Sequence, residues 1–168
     1  MSKVTRWRAL AAGLAVLAAT SCGVGGTPAA APPTPAAGGP LAGVCPDPVV
    51  VQTDWFPEAE YGAYFQMLGD APQFDTNVKK ATAPLVDGGT PTGVGLEIRY
   101  GGAAIGFQQV SAQLYADKAI TLGLVSTDEA IQNSAELPTV AVAAPLETSP
   151  QMIMWDRTKH PDVHTIAD

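Results

Sequence analysis

The first 44 residues constrain the fold most, because their composition leaves them outside any packed core. A basic patch at Lys3, Arg6 and Arg8 precedes an apolar run from Ala9 to Ala19. A charged segment, a short apolar segment and small residues before a cleavage site are typical of a secretory signal. The apolar run is too short to cross a hydrocarbon core, which takes about 20 helical residues. We therefore predict a signal peptide over residues 1–21 and a domain outside the cytoplasm.

Cys22 directly follows this leader, and the chain from there to Val44 is rich in Gly, Ala and Pro. Such a stretch is too flexible and too poor in large apolar residues to pack, which predicts a tether. A cysteine between a signal and a tether resembles the acylation site of bacterial lipoproteins. The resemblance implies cleavage before Cys22, a lipid on its sulfur and attachment to the membrane. Ala19-Thr20-Ser21 also satisfies ordinary signal peptidase, so a secreted, soluble protein remains the alternative.

The charge of the chain excludes one large class of partner. Nine Lys and Arg stand against sixteen Asp and Glu, a net charge of −7. Removal of Lys3, Arg6 and Arg8 with the signal leaves six cations against sixteen acids, or −10. Nucleic-acid binding depends on cations that neutralise phosphates, so we expect no nucleic-acid partner.

Cys45 has no cysteine partner in this chain if Cys22 is acylated, which leaves a free thiol or a pairing outside this sequence.

Residues 45–168 suffice for one α/β domain with a core of its own. Apolar and β-branched runs predict five strands, at residues 49–53, 94–100, 120–125, 139–144 and 151–155. Helices are predicted near Pro57, after Gly102 and from Ser126, the second with Phe107, Val110 and Leu114 on one face. The stretch 69–93 reads as a long loop, and the alternation over 94–100 predicts an edge strand.

The resulting order, β-α-β-α-β-α-β-β, predicts an α/β fold with a mostly parallel sheet and helices on both faces. In such sheets ligands bind at the carboxyl ends of the strands. Three loops begin there, and they supply the candidate ligand-binding residues Trp55, Phe56, Gly101, Gly102, Ser126, Thr127 and Asp128.

Each candidate has a chemical role and a structural alternative. Trp55 and Phe56 offer aromatic faces for a planar ligand, although Phe56 could instead pack over the first helix. Gly101 and Gly102 let a ligand approach the backbone closely, but a tight turn also explains them. The third group, Ser126, Thr127 and Asp128, offers donors and acceptors at a helix start. Ser126 also has capping-box spacing to Glu129.

The charges near these loops favour a neutral or amine-bearing ligand, such as an aminopyrimidine. A sulfonate or phosphate site requires a bare helix N-terminus and a cation. The first turns of two predicted helices instead carry the acids Glu58, Glu60, Asp128 and Glu129, and Arg99 is the only cation near a loop.

Metal and enzyme chemistry are not predicted. His160 and His164 have helical i, i+4 spacing, but Pro161 lies between them and the sequence indicates no third ligand. The sequence has no nucleophile elbow, phosphate-binding loop or Cys-x-x-Cys motif, and neither histidine is in a strand-end loop. We therefore expect no catalysis, no cofactor and no metal.

Three segments carry a resemblance to a known family. Asp54-Trp55-x-Pro57, the run Thr139–Ala144 and the run His164–Asp168 are similar to the solute-binding proteins of ABC importers. The subgroup is the one that carries thiamine-pyrimidine precursors, aliphatic sulfonates or nitrate.

The resemblance implies a type II periplasmic-binding-protein-like fold, in which two lobes close on a small solute and deliver it to an ABC permease. Residues 45–149 would be the first lobe, and residues 150–168 would be a hinge segment leading to a second lobe that this chain lacks. The chain would then be a truncated form. The alternatives are a fragment of a secreted α/β hydrolase and a structural envelope lipoprotein.

Overall fold

The computed structural model describes residue 34 and the ranges 37–148, 152–165 and 167. The predicted signal peptide and Cys22 lie outside the described residues. The strands are β1 (Val49–Gln52), β2 (Gln73–Asp75), β3 (Lys80–Asp87), β4 (Thr90–Arg99) and β5 (Leu122–Gly123). The helices are α1 (Gly62–Gln66), α2 (Val110–Ala116) and α3 (Thr127–Gln132), with short 3-10 turns at Ala59–Tyr61 and Gly102–Ile105.

The five strands form one mixed sheet in the order β2-β3-β4-β1-β5. β1 pairs in parallel with β4 and with β5, whereas the β2–β3 and β3–β4 pairs are antiparallel. The chain therefore has a mixed sheet with helices, which agrees with the predicted α/β class. The prediction of a mostly parallel sheet is wrong, since half of the strand pairs are antiparallel.

The antiparallel half is formed by the stretch that was predicted to be a loop. Residues 69–93 contain β2, all of β3, a turn at Gly88-Gly89 and the start of β4. Ala81 and Ala83 are buried in β3, and their small side chains gave no strong apolar signal. β4 is consequently a central strand between β3 and β1, and the predicted edge position is wrong.

One face of the sheet carries the main core, in which Val51, Leu96 and Ile98 are almost fully buried. Burial of a side chain of this size contributes about 1.5–3 kcal/mol. Tyr64 and Phe65 of α1 pack against this cluster. Successive strand residues face opposite ways, so Gln52 and its partner Gly123 lie on the other face.

Helix α2 packs on that other face of the sheet. A Cβ atom built on Gly123 would lie 2.6 Å from Val110 Cγ1 and 3.0 Å from Leu114 Cδ1. α1 and α2 therefore cover different faces. The missing Cβ at Gly123 allows α2 to approach β5 closely.

The end of the predicted tether contacts the sheet. Leu41 N donates a hydrogen bond of 2.9 Å to Thr92 O, and a side chain at Gly39 would overlap the backbone of β4 at Thr92. Leu41 and the half-buried free thiol of Cys45 both pack against the core cluster. Contacts with the domain thus begin before residue 45.

The predicted strands at residues 139–144 and 151–155 are wrong. Residues 139–148 form no strand, and Val140 and Val142 are 86% and 75% exposed. Gln151 lies outside the described residues, and Met152–Trp155 is not part of the sheet. A β-branched run becomes a strand only when a neighbour satisfies its backbone groups, and no described strand pairs with these segments. Among the described residues, no helix has the length and apolarity to cross a membrane.

Candidate functional site

The topology brings the three predicted loops to one edge of the sheet. β1, β4 and β5 run in parallel, so their carboxyl ends, at Gln52, Arg99 and Gly123, lie at the same edge. The loops that follow begin at residues 53, 100 and 124.

The first two loops are joined by backbone hydrogen bonds. Gly101 N donates to Trp55 O at 2.9 Å, and Gly102 N donates to Asp54 O at 2.9 Å. Thr53 Oγ1 donates to Trp55 O at 2.9 Å and accepts from Gly101 N at 3.1 Å. Any side chain at Gly101 would overlap the backbone of Asp54, so this glycine is required for packing of the two loops.

Gly102 supports the ring of Phe56. Its φ of +59° lies in the left-handed region, which strongly favours glycine, and a Cβ there would lie 2.9 Å from Phe56 Cε2. The backbone of Gly102 is therefore covered by an aromatic ring of the protein itself.

Three aromatic rings lie together at this edge, and we call them the aromatic cluster: Trp55, Phe56 and Phe107. The Trp55 and Phe56 ring centroids are 5.2 Å apart in an edge-on arrangement, and those of Trp55 and Phe107 are 5.6 Å apart with a 52° tilt. All three side chains are exposed, Trp55 by 45%. Exposed aromatic side chains in contact with one another offer an apolar platform for a planar ligand.

Phe107 was not among the predicted site residues. The pattern placed it on the apolar face of the second helix, but α2 begins only at Val110. Phe107 instead has a φ of +57°, and its side chain lies beside Trp55. The preceding Gly106, with a φ of +62°, was the available sign of a turn at this point.

Carboxylates flank Trp55 and Phe56 in the sequence, since Asp54 precedes them and Glu58 and Glu60 follow closely. Tyr61 is buried, and its hydroxyl donates to Asp54 Oδ1 at 2.7 Å. Burial and this hydrogen bond raise the pKa of Tyr61. Partial desolvation, and then repulsion from Glu58 and Asp54, raise the pKa of Glu60. Asp54, Glu58 and Glu60 form no ion pair with a cation of the described residues.

The third loop is held by α2 and not by the first two loops. The predicted capping box is wrong, because Ser126 makes no side-chain cap and Glu129 Oε1 accepts from Ser111 N at 2.7 Å. The Ser126 side chain instead hydrogen-bonds the Asp128 carboxylate and lowers the pKa of Asp128. No hydrogen bond or ring contact among the described residues joins Ser126, Thr127 or Asp128 to the aromatic cluster.

The side chains on the second face of the sheet form an ion-pair network. Lys80 Nζ lies 2.7 Å from Glu97 Oε2, Arg99 Nε lies 2.6 Å from Glu97 Oε1, and an Arg99 amino nitrogen lies 2.7 Å from Asp117 Oδ2. Burial alone would raise the pKa of Glu97, but the hydrogen bonds from Lys80 and Arg99 hold it below its ordinary value.

His160 and His164 lie in the exposed segment after Trp155. Within the part of the chain that the structure describes, no group of three His, Cys, Asp or Glu side chains is placed to hold a metal.

Comparison of the chain with protein-family models, with curated proteins and with solved structures gave no match.

Proposed function

We propose that this domain captures a small solute outside the cytoplasm and delivers it to the permease of an ABC importer, without catalysis. The observation that carries the proposal is the aromatic cluster at the carboxyl edge of the parallel strands. Open α/β sheets bind their ligands at this edge. The resemblance of Asp54-Trp55-x-Pro57 to solute-binding proteins supports the same assignment.

The solute in this proposal is neutral or amine-bearing and has a planar part, such as an aminopyrimidine. Its ring stacks on Trp55, and the carboxylates of Asp54, Glu58 and Glu60 favour an amine over an anion. Neither a cofactor nor a metal takes part. Receptors of this kind enclose about 70–90% of the ligand surface, and in the proposed arrangement a second lobe supplies the opposite wall.

Two tryptophans provide a matched test, because Trp55 and Trp155 are 45% and 43% exposed. Stacking on an aromatic side chain is worth about 1–3 kcal/mol by alanine substitution. Trp55→Ala should therefore weaken binding by about 5- to 150-fold, and Trp155→Ala should leave it unchanged. Affinity is measured by calorimetry for an aminopyrimidine, an aliphatic sulfonate and nitrate.

The test uses the 168-residue chain and a chain extended through a second lobe, with tighter binding expected from the longer one. Equal losses for both tryptophan variants would contradict a specific role of Trp55. Tighter binding of the sulfonate or nitrate than of the aminopyrimidine would contradict the proposed solute class.

The proposed location depends on Cys22, which we propose is acylated and holds the domain at the outer face of the membrane. In a bacterial host the protein should incorporate labelled palmitate and partition into detergent, and Cys22→Ser should abolish both. Cys45→Ser is the matched control and should change neither. Recovery of the unsubstituted protein in a soluble, unlabelled form would favour plain secretion after Ser21.

A further inference from the structure

A cleft separate from the aromatic cluster opens on the second face of the sheet. Its volume is about 310 Å³, within the size range of small-ligand sites. It lies where β1, β3 and β4 present their polar face, beside the short 3-10 turn after Gly101. Its polar lining consists mainly of Gln52, Lys79, Lys80, Glu97 and Arg99.

Gln52 brings an unused acceptor into this cleft. Its side chain lies at the end of β1, and the residue is only 3% exposed. Its amide nitrogen donates to the carbonyl oxygens of Thr53, Arg99 and Tyr100, at 2.9, 3.4 and 3.2 Å. These three acceptors fix the orientation of the amide, and its oxygen accepts no hydrogen bond within the described chain.

The free amide oxygen of Gln52 points to a ligand with a donor group. A buried side-chain oxygen without a partner is uncommon and is costly in free energy unless solvent or a ligand reaches it. No fully enclosed side-chain oxygen or nitrogen of the described residues lacks a partner. The unpaired Gln52 oxygen is therefore not fully enclosed, and Gln52 is one of the residues that line the cleft. An O–H or N–H of a bound molecule would complete its hydrogen bonding.

The cations of the cleft still have donors to offer an anion. Lys79, Lys80 and Arg99 face one acid of the lining, Glu97, in a chain whose net charge is −7. Lys80 uses one of its three N–H donors on Glu97. Arg99 uses one N–H on Glu97 and one on Asp117, which leaves three of its five N–H groups without a partner. Glu97 and Asp117 already accept from some of these donors, so a second carboxylate would use the N–H groups of Lys80 and Arg99 that remain.

We propose that this cleft binds a small hydroxylated carboxylate, whose carboxylate pairs with Lys79 and Arg99 and whose hydroxyl donates to the amide oxygen of Gln52. A hydroxyl suits the Gln52 oxygen better than an ammonium group, because the three cations would repel a positive charge. The site does not depend on the solute proposed for the aromatic cluster.

Three probes of similar size distinguish the contact of the carboxylate with the cations from the contact of the hydroxyl with Gln52. Glycolate carries both a carboxylate and a hydroxyl, acetate carries only the carboxylate, and ethylene glycol carries only hydroxyls. Each is titrated into the ¹⁵N-labelled full chain at pH 7 and constant ionic strength. The side-chain amide signals of Gln52 and the Nε–H signal of Arg99 report directly on the cleft.

Glycolate should give saturable shifts of the Gln52 and Arg99 signals. Acetate should bind about 2- to 12-fold more weakly, which is the usual range for one lost hydrogen bond. Ethylene glycol should give no saturable shift. Equal affinities for glycolate and acetate, or saturable binding of ethylene glycol, would overturn the proposal.

Two variants and one control complete the test. Ala104 lines the cleft with an exposed side chain, so Ala104→Phe should block it and abolish the glycolate shifts while the remaining spectrum keeps the folded pattern. Lys79→Gln should weaken glycolate binding about 2- to 5-fold, the value of one exposed ion pair. Lys159→Gln, at a 78% exposed side chain, should change nothing. Glycolate binding that survives Ala104→Phe, or that falls as much with Lys159→Gln, would show general anion attraction and refute the site.

Discussion

Gly102 combines a left-handed backbone with an aromatic ring directly above it, and the two effects can be separated by substitution. Gly106, in the same loop, has a similar φ of +62°, but an added Cβ there would meet nothing within 4 Å. Gly106→Ala should therefore cost only the backbone strain of about 1–2 kcal/mol. Gly102→Ala should cost more, about 2–4 kcal/mol, since Phe56 must also move.

Urea unfolding of both variants measures these free energies, and the emission of Trp55 reports whether the aromatic cluster is displaced. Equal destabilisation of the two variants would mean that the Phe56 ring moves aside at no cost in free energy. That result would contradict the packing of the ring on Gly102.

Tyr61 is a second residue whose environment makes a measurable prediction. Its buried hydroxyl donates to the Asp54 carboxylate, and such charge-assisted bonds are worth about 1.5–3 kcal/mol. Tyr61→Phe should therefore lower the unfolding free energy by about that amount. Tyr64→Phe is the control, since the Tyr64 hydroxyl makes no hydrogen bond within the described residues.

Because the pKa of Tyr61 is raised, the stability of the fold should depend on pH in the alkaline range. Above about pH 10 the unfolded chain loses the phenolic proton that the folded chain retains, so stability should fall as the pH rises beyond that value. Tyr61→Phe should weaken this loss. An alkaline decline of the same size in the variant would show that other groups cause it.

At the scale of elements, the Glu97 carboxylate links β3 and β4, and Arg99 extends the link to Asp117, directly after α2. Glu97→Gln would leave Lys80 and Arg99 partly buried without their shared anion. We expect a loss of about 1–3 kcal/mol at pH 7 by urea unfolding. Lys159→Gln breaks an exposed pair at 3.7 Å and should change stability by less than about 0.5 kcal/mol.

The same carboxylate should make stability sensitive to acid. The pKa of Glu97 is lower in the folded chain than its unfolded value of about 4.3. At pH values between the two, the unfolded chain binds a proton at Glu97 that the folded chain does not bind. Stability should thus be retained above about pH 4.3 and lost as the pH falls through the folded pKa. Glu97→Gln should flatten this decline, and an unchanged acid profile would contradict the role of Glu97.

One of the hydrogen bonds that hold helix α3 against α2 is buried. Glu129 Oε1 accepts from Ser111 N, which lies in the first turn of α2 and is buried. Glu129→Ala would leave that N–H unsatisfied and cost about 1–3 kcal/mol, with faster hydrogen exchange in α3. Asp128→Ala, at an exposed position one residue earlier, is the control and should leave exchange at Ser111 unchanged.

At the scale of the whole molecule, the packed region and the exposed segment after Leu137 should differ in their resistance to protease. Residues 139–148 make no hydrogen bond with another described residue, and they expose Val140 and Val142. Brief elastase treatment should therefore cut first near these valines and leave a folded product that retains the sheet. Mass spectrometry locates the cut and circular dichroism tests the product. Early cleavage within β3 or β4 would contradict this division.

Features that depend on local pattern could be predicted from the amino-acid sequence. The β-branched run after Pro48 became β1, Gly101-Gly102 became the sharp connection after β4, and the loops carrying Trp55 and Gly101 met at one edge. These outcomes follow from side-chain alternation, from glycine conformation and from the parallel direction of β1 and β4. Trp55, Phe56, Gly101 and Gly102 could therefore be placed together before the structure was known.

Tertiary contacts determined which patterned segments became strands and which partners the polar groups bonded. Ala81 and Ala83 formed a buried strand because β4 lay beside them, whereas Val140 and Val142 remained exposed because no strand did. Phe107 joined Trp55 through a left-handed turn, and Glu129 crossed to Ser111 instead of capping its own helix. Backbone pairing and long-range hydrogen bonds depend on what lies next to a segment in space, and local periodicity carries no information about that neighbour.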